Sequence, residues 1–391
     1  MKWSSAVSGE LEAQDALRDC VDKIRRDLGG QKPDALFVFV SPHHSDSYDA
    51  ILAGLNSGLQ PRHLMGCSGG GVIGAGHEVE EGPGLSVTAA LMPGVTIRSI
   101  KLDDADLPDA DSPPSAWEAA LGVRASDRPE FLLLASPFMG RAEDLLAGLD
   151  YAFPMAQKVG GMASGLRGIG ERAMFLGEER VSDGAILLAF SGELRLDTLV
   201  AQGCRGVGGV HTITRCEKNL LQELDGKPAL KLLTEIYEAA TPPDRQLMNR
   251  ALFIGLITDP LAAWPPEHGD FLIRNVLGID AGERSIAVGA MLREGQALRF
   301  HVRDSGAAAQ DLKSLLQRHQ KHGAPSGALL FSCLGRGEGM YGVPDHDSRL
   351  FAESFGPVPL GGFFCNGEIG QVGQGTYIHG FTSSFGLFRE K

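Results

Sequence analysis

Cysteine is scarce in this chain: six among 391 residues, at 20, 67, 204, 216, 333 and 365, with no CxxC pair. That excludes a disulfide framework and points to reduced thiols in a cytoplasmic protein. Long apolar runs are missing too. The longest apolar runs, such as Phe131–Ala135 and Ala185–Phe190, are strand-sized, far short of the ~20 residues of a membrane helix. The opening residues, MKWSSAVSGELEAQD, contain no apolar signal core. Positive charge is in deficit, with 36 Lys and Arg against 49 Asp and Glu and a formal net charge of −13. Neither nucleic acid nor an anionic membrane surface is therefore expected as a partner. What is present is 43% hydrophobic and 22% charged residues, enough for a large buried core and unlike a disordered chain or a coiled coil. Glycine is abundant, at 52 residues without a collagen period, which implies turns and close backbone approaches.

A repeat organises the chain. Phe37–Pro42, Ile51–Asn56 and Gly66–Gly70 are echoed by Leu132–Pro137, Leu145–Asp150 and Gly161–Gly165. The landmarks Pro42/Pro137, Gly54/Gly148 and Gly66/Gly161 are offset by 95, 94 and 95 residues. Each unit reads as a buried strand stopped by Ser-Pro, because proline cannot donate to a ladder. An amphipathic helix follows, then a short strand entering a glycine-rich turn, then a closing strand at Leu85–Leu91 or Gly184–Phe190. The last third carries a looser copy, with a strand at Ala328–Leu334, a helix at 350–355, a glycine turn at 361–367 and closing strands over 376–388. A fourth, fainter copy is expected from Ala251–Thr258 through Phe271–Val276 to Ser285–Val288. The fold class is α/β: two domains built from repeated strand–helix–strand modules with mixed sheets. Residues 1–210 form the first domain, of two modules of about 95 residues, and residues 211–391 form the second.

Several motifs invite chemistry and each has a plainer reading. Gly66-Cys-Ser-Gly-Gly70 spells G-x-S-x-G, but no helix follows it as a nucleophile elbow requires. No Gly-Lys-Ser/Thr makes it a phosphate loop. Gly203–Gly209 lacks the strand–helix context of a dinucleotide fingerprint. His43-His44, His319-x-x-His322 and Asp345-His346-Asp347 do not make a metal set, and no metal or cofactor is expected. Cys333 ends a strand three residues before Arg336, whose charge would favour a thiolate. Arg336 and Glu368 are isolated charges among glycine and apolar residues. They read either as an ion pair anchoring two turns or as contacts to a charged ligand.

Taken in order, Gly66–Gly74, Lys158–Gly161, His211–Asn219, Glu223-Leu-Asp-Gly-Lys-Pro-Ala229, Phe331–Gly337 and Gly361-Gly-Phe-Phe-Cys-Asn-Gly-Glu-Ile-Gly370 resemble the FIST proteins, with their N-terminal and C-terminal FIST regions. The resemblance implies a sensory module that binds small ligands such as amino acids, with no catalytic residue to carry over. A ligand is then expected where the glycine turns of the two domains meet. Backbone donors of Gly69, Gly70 and Gly161 would orient it, and Ser68, Ser164, Asn366, Arg336 and Glu368 would supply side-chain contacts. Gly66, Cys67 and Cys333 belong to the same loops. The FIST-like region takes up the length, so output would pass through a signalling protein partner. Two other readings stand beside this one: a cysteine-dependent enzyme using Cys333 or Cys67, and a protein-interaction scaffold.

Overall fold

The computed structural model describes residues 1–165, 172–258, 266, 268–280, 282 and 284–391. Contacts gather the chain into two compact units. Met1–Val200, Leu312–Gln371 and Gly375–Lys391 form one; Ala201–Asp311 with Val372–Gln374 form the other. This division differs from the consecutive one at residue 210. The second unit interrupts the first, and every glycine turn singled out above as a ligand loop falls in the first unit.

The larger unit contains three copies of one module. Module 1 runs β1 (Lys2–Ser8), α1 (Ala13–Asp27), β2 (Ala35–Val40), α2 (Tyr48–Leu59), β3 (His63–Ser68), a hairpin of β4 (Val72–Gly74) and β5 (His77–Val79), and β6 (Leu85–Leu91). Module 2 repeats the order: β7 (Val95–Leu102), α3 (Pro114–Leu121), β8 (Glu130–Ala135), α4 (Ala142–Ala152), β9 (Lys158–Met162), a hairpin of β10 (Met174–Leu176) and β11 (Glu179–Val181), and β12 (Ala185–Gly192). Module 3 opens with β13 (Leu194–Gln202).

The inserted unit then contributes β14 (Cys204–Glu217), β15 (Leu220–Leu224), β16 (Lys227–Pro228), α5 (Ala229–Ala239), α6 (Pro242–Arg250), β17 (Leu252–Ile257), β18 (Phe271–Asp280), β19 (Ser285–Val288) and β20 (Ala297–Arg303). Module 3 resumes with α7 (Ser305–Gln320), β21 (Gly327–Cys333), α8 (Glu338–Tyr341), α9 (His346–Phe355), β22 (Leu360–Cys365), a hairpin of β23 (Glu368–Val372) and β24 (Gly375–His379), and β25 (Thr382–Glu390).

Each module builds its sheet on a parallel pair, β2/β3, β8/β9 or β21/β22, flanked by its antiparallel closing strand. The outer neighbour of the second parallel strand comes from another module. The β10–β11 hairpin of module 2 pairs with β3, the β23–β24 hairpin of module 3 pairs with β9, and the β4–β5 hairpin of module 1 pairs with β22. The modules thus exchange hairpins in a closed cycle. One backbone bond recurs at each exchange: the N–H of Ser68, Met162 and Phe364 donates to the carbonyl of Ala173, Gly367 and Gly71, at 2.8, 2.8 and 2.9 Å. The facing sides enclose a shared core in which Phe39, Cys67, Leu134, Phe331 and Phe363 are buried together.

Registers align the modules residue by residue. Val38 pairs with Gly66, Leu133 with Gly160 and Leu330 with Gly362. Gly160, not Gly161, is therefore the counterpart of Gly66. A Cβ at any of the three glycines would lie 1.8–2.0 Å from the carbonyl oxygen of its paired residue. Only hydrogen fits there.

The inserted unit is not a fourth copy. The expected strands at 251–258, 271–276 and 285–288 do form, but every pairing among them is antiparallel. Its strands run in the order β14-β20-β17-β18-β19-β15, and β14 also pairs with β15, which closes the sheet on itself. Ile213, Leu221, Ile254, Ile286, Leu298 and Phe300 form its core with Leu232 and Ile236 of α5. The four residues between β18 and β19 can reach only an antiparallel neighbour, since a parallel one needs a crossover of a dozen or more.

Gly160→Ala is expected to lower stability by about 3 kcal/mol or more through overpacking on Leu133. Gly339→Ala, where an added Cβ meets nothing within 4 Å, should stay within about 0.5 kcal/mol of the parent. Urea unfolding of the two variants checks the pair.

Candidate functional site

The ends of β2/β3, β8/β9 and β21/β22 carry the sequence-predicted loops, and the structure brings them together. Ser68 Oγ donates to Ser164 O at 2.8 Å, Ser164 N donates to Ser68 O at 3.1 Å, and Gly70 N donates to Ser164 Oγ at 2.8 Å. Ser164 Oγ in turn donates to Phe364 O, and Asn366 N to Met162 O at 3.2 Å. Gly161 pairs with Glu368 across the β9–β23 ladder. Gly66, Cys67, Ser68, Gly69, Gly70, Gly161 and Ser164 are all buried, whereas Asn366 is exposed. The N–H groups of Gly69 and Gly70 are thereby committed within the protein, Gly69 donating to Val40 O at 3.0 Å. A Cβ on Gly69 would meet Phe363 at 2.8 Å and one on Gly70 would meet Leu334 at 2.3 Å. The loops form a tight junction, and these groups bond to one another.

Module 3 differs from its siblings in chemistry. Where module 1 has Val72 and module 2 has Met174, it has Glu368. Where they have Leu85 and Ala185, it has Ser383. Where they have Ser41 and Ser136, three residues beyond the registered Val38 and Leu133, it has Cys333. Glu368 is completely buried. Its Oε2 accepts the Thr382 N–H at 3.0 Å and the Thr382 hydroxyl at 2.8 Å, and its Oε1 accepts the Cys365 thiol at 3.4 Å. Burial pushes its pKa up to about 7, against the pull of the Thr382 bonds.

Arg336 is also buried, but its partner is Asp347, not Glu368. The Nε–Oδ2 distance is 3.0 Å and Nη2–Oδ1 is 3.4 Å, while Nη1 donates to Phe381 O at 3.4 Å. The guanidinium also lies over the Tyr341 ring, 5.5 Å from its centroid. Asp347 accepts the Ser383 hydroxyl and lies 2.8 Å from His346 Nδ1. Burial alone would raise the Asp347 pKa; Arg336 and these donors overcome it and hold the carboxyl below its usual range. Nearby, Glu78 of β5 accepts the Ser348 N–H at the start of α9 at 2.7 Å. Burial, and next the Asp347 charge, push Glu78 up to about 8. Phe381 holds φ = 63°, a left-handed backbone that is rare for an aromatic residue, at the turn whose carbonyl faces Arg336.

The thiols are held protonated near neutrality. Burial drives Cys67 and Cys365 well above the ordinary thiol value, and burial followed by the Glu368 charge drives Cys333 up to about 12. Among the described residues no group of three or more His, Cys, Asp and Glu is placed to hold a metal ion.

Sequence reasoning missed Asp347 as the Arg336 partner, and it missed Ser383, Thr382 and Glu78. Asp347 was visible in Asp345-His-Asp347, but its partner depends on the fold bringing α9 to Arg336 and to Ser383 of β25. Sequence reasoning also passed over an open cavity of ≈ 260 Å3 lined by Ser136, Pro137, Phe138, Ala163, Arg172, Ala173, Met174 and Ser182. It lies at the carboxyl ends of β8 and β9, the usual ligand position on parallel strands. Arg172 stands over the exposed Phe138 ring, 5.5 Å from its centroid.

Two outcomes follow. Asp347→Ala leaves a buried guanidinium without its counter-charge and should cost about 3–5 kcal/mol in urea unfolding. Glu368 binds its proton more tightly folded, near 7, than at its ordinary 4.5. Its contribution to stability therefore falls as pH rises through that interval, by about 3 kcal/mol in all. Unfolding at pH 5, 6.5 and 8 should show Glu368→Gln gaining on the parent by that order; an unchanged difference would contradict the assignment.

Two family models match the chain, the FIST N domain over residues 34–227 and the FIST C domain over 229–371. The chain is 32% identical over 393 residues to an uncharacterized protein of Mycobacterium tuberculosis, covering 99% of this chain and 100% of that one. It is also 32% identical over 391 residues to an uncharacterized protein of Mycobacterium bovis, with 99% of each covered. A third similarity, 35% over 91 residues, is to an F-box/LRR-repeat protein of Arabidopsis thaliana and covers 21% of this chain and 17% of that one. Among the described residues no helix is long and apolar enough to cross a membrane. FIST domains are associated with signal transduction and small-ligand sensing, and the match over both regions places this chain in the FIST family.

Proposed function

We propose that this chain is a non-catalytic sensory protein that binds a small carboxylate-bearing ligand, such as an amino acid, and signals through a protein partner. The carrying observation is the ≈ 260 Å3 cavity at the carboxyl ends of β8 and β9, immediately beside the Ser68–Ser164 junction. Its size suits a small metabolite. Arg172 offers a two-pronged donor for a carboxylate, Phe138 an apolar face, and Ser136 and Ser182 hydroxyls. Ala163, next to Ser164, ties the cavity wall to the loops where a ligand was expected. In this reading Gly66, Cys67, Ser68, Gly69, Gly70, Gly161 and Ser164 hold the wall. Cys333, Arg336, Asn366 and Glu368 belong to the module that meets module 2 through its exchanged hairpin. A cysteine nucleophile has less support, because burial keeps Cys67 and Cys333 protonated near neutrality.

The test is a thermal-shift screen of amino acids and small carboxylates at millimolar concentration. A ligand at a hundredfold excess over its dissociation constant adds about 2.7 kcal/mol and should raise Tm by several degrees. Arg172→Ala should keep the unliganded Tm and lose the shift. No stabilisation by any compound, or a shift that survives Arg172→Ala, would overturn the reading.

A further inference from the structure

Two thiols end the parallel strands of module 3, and ligand binding as described makes no use of them. Cys333 is the last residue of β21 and Cys365 the last of β22, and their Cα atoms are register partners. Adjacent strands lie about 4.7–4.9 Å apart, inside the 4.4–6.8 Å Cα separation that a disulfide spans. Two residues earlier, Phe331 and Phe363 are partners in the same register and their ring centroids lie 5.8 Å apart. Side chains two positions on share that face, so the sulfurs follow the rings on one side of the sheet. Cys365 Sγ lies 3.3 Å from Ser332 O and so leans toward β21. Cys333 is partly exposed and Cys365 is buried. That arrangement suits one thiol that meets a reagent and one that resolves it. The matching positions are Ser41 and Gly69 in module 1 and Ser136 and Ala163 in module 2, so the pair is peculiar to module 3.

We propose that Cys333 and Cys365 form a reversible disulfide by exchange with a low-molecular-weight disulfide, and that oxidation withdraws the thiol that donates to Glu368. The Cys333 thiolate attacks one sulfur of the small disulfide. The S–S bond breaks, one small thiol leaves and takes up a proton, and a mixed disulfide remains on Cys333. The Cys365 thiol then loses its proton and attacks the Cys333 sulfur, expelling the second small thiol. Two protein thiols are oxidised and one small disulfide is reduced to two thiols. Glu368 keeps its two bonds from Thr382 and loses the one from Cys365. Burial keeps both thiols protonated near neutrality, so the exchange is slow at pH 7 and accelerates with pH.

The experiment treats the full chain with oxidised glutathione, blocks remaining thiols by alkylation, and maps peptides by mass spectrometry without reduction. The expected product joins the Cys333 and Cys365 peptides and is reversed by dithiothreitol. Its rate should rise roughly tenfold per pH unit between 7 and 9. Cys365→Ala, carrying the residue module 2 has there, should stop at the glutathione adduct on Cys333. Cys333→Ser, carrying the residue of modules 1 and 2, should leave Cys365 unreacted. Circular dichroism confirms that each variant is folded. A folded parent that accumulates only the glutathione adduct on Cys333, or in which neither cysteine reacts at pH 9, would overturn the proposal.

Discussion

The larger unit depends on one constraint: no module completes its own sheet. Without the exchanged hairpins, β3, β9 and β22 would be edge strands with open N–H and C=O groups, a configuration that invites pairing with other chains. The cycle closes all three edges at once, and the bonds from Ser68, Met162 and Phe364 fix where each hairpin begins. It also forces close approach. Gly66, Gly160 and Gly362 each sit on a carbonyl of the neighbouring strand with room only for hydrogen. The repeated glycines are thus requirements of the packing before they are anything else, which explains why loops that read as ligand cradles turn out to bond chiefly to one another.

Equivalent geometry with unequal chemistry then marks module 3. A carboxylate in the place of Val72 and Met174 carries a desolvation penalty that a valine or methionine does not. Glu368 is tolerated because Thr382 supplies two donors and Cys365 a third. Its pKa near 7 is the residue of that compromise. The Arg336–Asp347 pair is a similar case: fully buried, hydrogen-bonded on every side, and weak as an argument for stability, since an apolar pair of equal volume would serve as well or better. Phe381, in a left-handed conformation rare for its type, borders the same place. Strain and buried charge thus meet at this end of module 3, where modules 1 and 2 carry Val72 and Met174 in place of Glu368 and Leu85 and Ala185 in place of Ser383.

Much of this was legible in the sequence, for identifiable reasons. Strand-ending Ser-Pro and the offset from Pro42 to Pro137 reflect local rules, proline chemistry and strand period, so the two complete modules could be read directly. Module 3 was blurred because Leu334 stands where the others have proline and because the inserted unit separates β13 from the rest. The inserted unit misled because its apolar runs are true strands; periodicity reports burial, and only connection length separates antiparallel from parallel neighbours. Hairpin exchange was invisible, since which edge a hairpin joins depends on contacts across more than a hundred residues. Glu368 and Arg336 were found as lone charges among glycine and apolar residues, a local signal. Their partners, Thr382 and Asp347, sit on separate elements that only the fold brings near.

Aligning the modules also relates the open cavity to the closed network. The cavity is lined by Ser136, Ala163 and Met174. Their counterparts in module 3 are Cys333, Cys365 and Glu368. The same position of the module is therefore an open space with hydroxyl and apolar walls in one copy and a thiol–carboxylate cluster in the next. The two are physically joined, because the hairpin that begins at Glu368 lies on β9, with Glu368 opposite Gly161 and only two residues from Ala163 in the cavity wall. β9, whose end shapes the cavity, is thus hydrogen-bonded to the strand that carries Glu368, and Glu368 accepts the Cys365 thiol.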